Sequence, residues 1–344
     1  MKAGCYTALV TPFQQDSVDY EGLDKLADFQ IQNGITGILA VGTTGESPTL
    51  SWEEHNKVIE IIIAKSKDKC ISIAGTGSNN TREAIEATKH AKQVGVDAVL
   101  LVDPYYNGPS SLEIRREYIE PISRENPDIT IIPYIIPGRT GAQMMPEDLA
   151  IVAGKYKNVS AVKEATGNMA NMQLTRKLCG TDFSIISGDD ALVFDMMTDP
   201  LIKADGVISV ASNIVPKAMT QMITFLAQGD IEAATAIKEK IAPLFQLVTV
   251  TTRETTPYGE VTCRARNPLA MKTLMAILGM PSGGCRRPLG KMTANGIEKV
   301  LDVGRSIYKN SPEILAPVED FFNVNMGERL YDKSVIADLI YEDY

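Results

Sequence analysis

Histidine is nearly absent, with only His55 and His90 in 344 residues. A metal-dependent hydrolase or aldolase gathers several imidazoles around its ion, so that chemistry is not expected, and no metal site is read here. Cysteine is sparse and scattered. Cys5, Cys70, Cys179, Cys263 and Cys285 form no CxxC pair and are odd in number, which reads as reduced cytosolic thiols. Basic residues are outnumbered, 34 Lys+Arg against 43 Asp+Glu, for a net charge of −9. That balance argues against a nucleic acid or an anionic membrane as partner. No apolar run has the length of a membrane span. The opening MKAGCYTALVTPF, with its single lysine and its threonines and proline, is not a signal peptide. The expected location is cytoplasmic.

What is present is a globular composition, 44% apolar. Short, near-continuous apolar runs recur at Tyr6–Val10, Gly37–Val41, Cys70–Ala74, Ala98–Val102, Ile129–Ile135, Val159–Lys163, Phe183–Ser187 and Gly206–Val210. Such runs suit parallel strands covered on both faces. Helical segments alternate with them, several with start signals: Ser51 with Glu54 makes a capping box, and Pro146 opens another helix. Eight strands at a spacing of roughly 28 residues predict a (β/α)₈ barrel. The runner-up, a doubly wound sheet, lacks its Gly-rich loop after the first strand, where Thr11-Pro12-Phe13 stands instead. The pattern places the catalytic barrel in residues 1–229 and a C-terminal helical region in 230–309. An extension, 310–344, is either a docked arm or a mobile one. The polar stretch TTRETTPYGEVTCRAR reads as a loop or insertion.

A barrel keeps its chemistry at the carboxyl ends of its strands. There Gly42-Thr43-Thr44-Gly45-Glu46-Ser47 is either a βα turn or a carboxylate site built of N–H groups and hydroxyls. Lys163 ends an apolar strand, where burial lowers an amine's pKa and yields the neutral nucleophile that forms a Schiff base. Tyr106 and Tyr134 end strands too, and a tyrosine–threonine chain can move protons where histidine is missing. Arg139 suits a substrate carboxylate, or else a surface ion pair. Asp189-Asp190 reads as a helix cap rather than a metal pair, and His55 and His90 as packing or surface residues.

Taken in order, GTTGES (42–47), PYYN (104–107), Tyr134 with PGRTG (137–141), VKEA (162–165), SGDD (187–190) and GVIS (206–209) resemble the dihydrodipicolinate synthase family of pyruvate-dependent class I aldolases, a superfamily that includes N-acetylneuraminate lyase. The resemblance runs from about Lys2 to Leu301, without 251–264 and the tail. It implies a lyase that needs no cofactor and condenses pyruvate with L-aspartate 4-semialdehyde to 4-hydroxy-tetrahydrodipicolinate, on the route to lysine and diaminopimelate. It implies Lys163 as the Schiff-base lysine and Thr43, Tyr134 and Tyr106 as a proton relay. Tyr106 would be lent by a neighbouring subunit of a homo-oligomer, a dimer or tetramer. Thr43 and Thr44 would hold the pyruvate carboxylate and Arg139 that of the semialdehyde, with Gly188 and Ile208 beside the lysine. A lysine-inhibition cleft would involve Ser47, Trp52, His55, Asn79, Glu83 and Tyr105. The family often has Asn after the tyrosine, and here Ile135 stands there. Another pyruvate aldolase or lyase acting on a sugar acid or hydroxy-oxo acid is the alternative, and a non-catalytic barrel the third reading.

Overall fold

In the computed structural model, which describes residues 1–343, each of the eight apolar runs becomes one strand of a closed parallel barrel. The strands are β1 (Gly4–Ala8), β2 (Gly37–Ala40), β3 (Ile71–Gly75), β4 (Ala98–Val102), β5 (Thr130–Ile135), β6 (Ala161–Glu164), β7 (Ser184–Ser187) and β8 (Gly206–Ser209). β1 pairs with both β2 and β8, which closes the ring. Strand side chains alternate, so one row points into the barrel and the next into the layer beneath the helices. The inner row includes Tyr6, Leu39, Ile73, Leu100, Ile132, Tyr134, Ala161, Ile186 and Ile208. Cys5, Ile38, Leu101, Ile135, Val162, Ile185 and Val207 belong to the outer cluster, between barrel and helices. Lys163 stands two residues after Ala161 on the same strand and so shares its inward face.

The helices follow their sequence signals. Ser51 and Glu54 form the capping box of Trp52–Ser66, and Pro146 opens Pro146–Lys155. Asp189-Asp190 departs from the cap reading. Asp189 accepts from the Ala191 N–H at 2.8 Å, but Asp190 is buried and accepts from the Val210 and Ala211 N–H groups, each at 2.9 Å. It fastens the end of β8 to the end of β7.

Two C-terminal features also differ from expectation or resolve it. The polar stretch is not a loop but a hairpin, β9 (Thr249–Thr256) and β10 (Gly259–Arg266), paired in register from Thr249↔Arg266 to Thr256↔Gly259. Alternate residues Val250, Thr252 and Glu254 turn inward. Glu254 accepts from Thr293 Oγ1 at 2.6 Å and Asn295 Nδ2 at 2.8 Å, at the start of helix Ala294–Asn310. The tail is docked. Phe321 and Phe322 pack on Phe29 with ring centroids 5.3 and 5.2 Å away, and Arg329 donates to the Ile277 and Ala276 carbonyls at 2.7 and 2.9 Å.

Candidate active site

Lys163 and Tyr134 are cross-strand neighbours in the β5–β6 register. Lys163 Nζ lies 4.2 Å from the centre of the Tyr134 ring, and only 5% of the residue is exposed. Burial pulls the amine down to about 7; Asp190 opposes the shift and Arg139 adds to it. Near neutral pH a substantial fraction of Lys163 is therefore the free amine, which is the nucleophilic form. Gly188 gives the side chain its room. A Cβ there would stand 2.8 Å from the Ala165 Cβ and 3.1 Å from Lys163 Cε. Ile208 lies in the inner row and is buried.

Burial pushes the Tyr134 hydroxyl up to about 12, against the lowering influence of Arg139 and of a hydrogen bond to Thr43. Tyr134 thus keeps its proton, with the Thr43 hydroxyl close enough to lower its pKa. Thr43 sits on a loop whose backbone is forced: Val41 takes a left-handed φ of 49°, rare for a β-branched residue. Gly75 allows it, since a Cβ on residue 75 would meet the Val41 carbonyl oxygen at 2.4 Å. Thr43, Tyr134, Arg139 and Thr140 line a cavity of about 240 Å³ together with Ser47 and Tyr105. Arg139 donates from Nη2 to the Asn267 carbonyl at 3.1 Å, and desolvation lowers its pKa.

Sequence reasoning passed over Asn267. It is buried, its Nδ2 donates to Thr44 Oγ1 at 3.0 Å, and its Oδ1 has no partner. One residue thus holds both Thr44 and Arg139. It follows the hairpin directly, and the only advance signal was an Asn-Pro pair after a polar stretch. A second unforeseen element is the buried pair Lys272–Glu46, 2.7 Å apart with both side chains fully enclosed. Lys272 also donates to the Thr11 carbonyl at 2.8 Å, and Glu46 accepts from the Arg286 N–H at 2.9 Å. Glu46 has φ 56°, so this ion pair clamps the Gly42–Ser47 loop in its left-handed turn.

Tyr106 is not brought to the site within the chain. It is 90% exposed, with φ 80°. The six residues expected to form one cleft are divided. Ser47 and Tyr105 line the barrel cavity, while Trp52 and Glu83 line an outer groove of about 480 Å³ between two helices. His55 is buried against Trp52, with ring centroids 5.1 Å apart, and burial lowers it to about 4, so it is neutral. Asn79 is exposed, and its backbone is close enough to the Tyr105 hydroxyl to lower that group's pKa against the effect of burial. Ile135, which stands where the family often has Asn, points away from the cavity into the outer cluster, because strand alternation puts it opposite Tyr134. Among the described residues no group of three or more His, Cys, Asp or Glu converges on one point, and no helix is long and apolar enough to cross a membrane.

Comparison with known proteins gives the family. The sequence profile of the dihydrodipicolinate synthetase family matches residues 1–303. The chain is 40% identical over 289 residues to the 4-hydroxy-tetrahydrodipicolinate synthase of Methanococcus maripaludis, covering 84% of this chain and 93% of that one. It is 41% identical over 303 residues to the enzyme of the same name from Sulfurihydrogenibium sp., covering 88% and 97%. Among solved structures, dihydrodipicolinate synthase from Aquifex aeolicus superposes with a TM-score of 0.81 at 37% identity, covering 91% of this chain and 99% of that one. The 4-hydroxy-tetrahydrodipicolinate synthase of Methylacidiphilum fumariolicum SolV gives 0.82 at 34% identity, with 93% and 99% covered. The chain belongs to the dihydrodipicolinate synthetase family.

Proposed function

We propose that this protein is a class I lyase that condenses pyruvate with L-aspartate 4-semialdehyde to give 4-hydroxy-tetrahydrodipicolinate, in the biosynthesis of lysine and diaminopimelate. One observation carries the reading: a buried lysine, lowered to about 7, faces a protonated tyrosine inside the barrel. The free amine of Lys163 attacks the keto carbon of pyruvate, and water leaves to form the imine. Loss of a methyl proton gives the enamine, whose carbon adds to the aldehyde of the second substrate. The amino group of that substrate then adds to the imine carbon and displaces Lys163, closing the ring.

Thr43 and Tyr134 relay protons, and Tyr106 extends the relay from a neighbouring copy. Its 90% exposure suits insertion into a partner, so the working form is a homo-oligomer, and five unpaired cysteines suit the cytoplasm. Thr43 and Thr44 receive the pyruvate carboxylate, Gly188 and Ile208 border the lysine, and Arg139 binds the acceptor carboxylate. Ser47, Trp52, His55, Asn79, Glu83 and Tyr105 serve lysine feedback once two copies join their halves of the cleft. Calorimetry without heat at millimolar lysine rejects that last assignment. Trapping with pyruvate and borohydride tests the reaction itself. Mass gain on Lys163 alone is expected, and no gain, or gain on another lysine, overturns it.

A further inference from the structure

We propose that Arg266, carried to the mouth of the barrel by β10, is a specificity-determining residue that joins Arg139 in a two-guanidinium subsite for the carboxylate of the acceptor. The proposal rests on the reaction assigned above and adds to it a residue from outside the barrel.

Two short segments clasp each other. Arg139 donates to the carbonyl of Asn267 at 3.1 Å, and Arg266 donates to the carbonyl of Gly138 at 3.1 Å. Each arginine thus reaches across to the residue beside the other, which brings the two guanidinium-bearing segments together. Both contacts are to neutral carbonyls, and among the described residues neither arginine forms an ion pair with a carboxylate. A guanidinium carries five N–H donors in a fixed fork, so each keeps donors free. Like charges gathered without a counter-ion repel, and a bound anion relieves the repulsion; Arg266 is among the groups that lower Arg139.

The positions divide the work. Arg139 lines the cavity with Thr43 and Tyr134, whereas Arg266 is exposed at the hairpin's end. The chain as a whole is strongly acidic, at −9, so the overall field disfavours the carboxylate end of the zwitterionic acceptor. A cation at the entrance offsets that field locally and hands the carboxylate inward.

The test compares Arg266→Gln and Arg266→Lys in the full-length protein. Arg266→Gln should raise the KM for the semialdehyde, and the Kd for succinate as a carboxylate probe, by about 3- to 10-fold, as expected for a partly solvated charge. Its kcat and pyruvate labelling should stay at the wild-type level, and Arg266→Lys should restore most of the affinity. Added salt should weaken the acceptor's kcat/KM in the wild type more than in Arg266→Gln. An unchanged KM and succinate Kd in Arg266→Gln overturns the proposal. So does a loss of thermal stability and kcat that Arg266→Lys fails to rescue, since Arg266 would then be a brace for the hairpin. If the wild type takes no pyruvate label, the assigned reaction falls on that result, and succinate binding still decides whether the two arginines share an anion.

Discussion

Lys163 reaches across the β5–β6 pair to lie 4.2 Å from the centre of the Tyr134 ring, and both residues are almost wholly enclosed. The ring covers the amine with apolar surface while a neighbouring hydroxyl stays available for protons. The pH dependence follows. The free amine is the reactive form, so kcat/KM for pyruvate should rise with pH through about 7 and level off above it. Arg139 helps hold the amine down, so Arg139→Met should move this limb to higher pH. Lys163→Ala should lose several orders of magnitude in rate. A flat profile from pH 6 to 8.5, or an active Lys163→Ala, contradicts the assignment.

The role proposed for Arg139 at the acceptor is separable from its effect on Lys163. A buried charge-assisted contact contributes about 1.5–3 kcal/mol, or roughly 10- to 150-fold. Arg139→Met should raise the KM for the semialdehyde on that scale and, at a pH above the shifted limb, leave borohydride trapping of pyruvate near wild type. Steady-state kinetics with each substrate varied in turn distinguish the two effects.

The Lys272–Glu46 pair makes a prediction about stability. Removing one partner of an enclosed ion pair leaves an uncompensated charge and costs about 3–5 kcal/mol. Lys272→Met should therefore lower the urea midpoint markedly, and Lys272→Met combined with Glu46→Leu should recover part of the loss. A single variant as stable as the wild type would show that the clamp contributes little.

Ile135→Asn should damage the fold and not the specificity. The side chain is buried in the layer between barrel and helices, and an unpaired amide there costs about 1–3 kcal/mol. A lower melting temperature with an unchanged preference among aldehydes is expected. A switch of acceptor would mean that residue 135 reaches the site after all.

Asp103 is enclosed at the end of β4, and burial, with Glu164 adding to it, raises its carboxyl to about 7 against one N–H bond from Met144. The native state therefore binds a proton more tightly than the unfolded chain. The stabilisation is complete below the ordinary carboxylate pKa of about 4 and is lost as pH rises through about 7. Asp103→Asn should flatten the pH dependence of the urea midpoint between pH 4 and 8. If the midpoint of the wild type does not fall over that range, Asp103 is not the buried acid described.

The barrel was legible because each strand is sandwiched between two apolar layers, and such strands write themselves as continuous runs of Val, Ile, Leu and Ala. Lys163 was legible for the same reason: a charge ending such a run is conspicuous. The hairpin was not, because both of its strands have one solvated side. Thr251, Arg253 and Thr255 read as loop while Val250 and Glu254 do the packing. Nor did periodicity reveal Asn267 or the Lys272–Glu46 pair. Their partners lie 223 and 226 positions away along the chain. Ile135 follows Tyr134 directly in sequence, yet the two-residue period of a strand turns that adjacency into opposition.

Arg139 rests on the carbonyl of Asn267, 128 positions further along, and Thr44 on the amide of that same residue. A nascent chain that has closed its eighth strand already holds Lys163 beside Tyr134, but neither Arg139 nor the Thr43–Thr44 loop is yet braced. The segment from Asn267 to Lys272 must emerge and dock to fix both, so a ribosome stalled before that point would carry the lysine of the site without the supports of its anion-facing side chains.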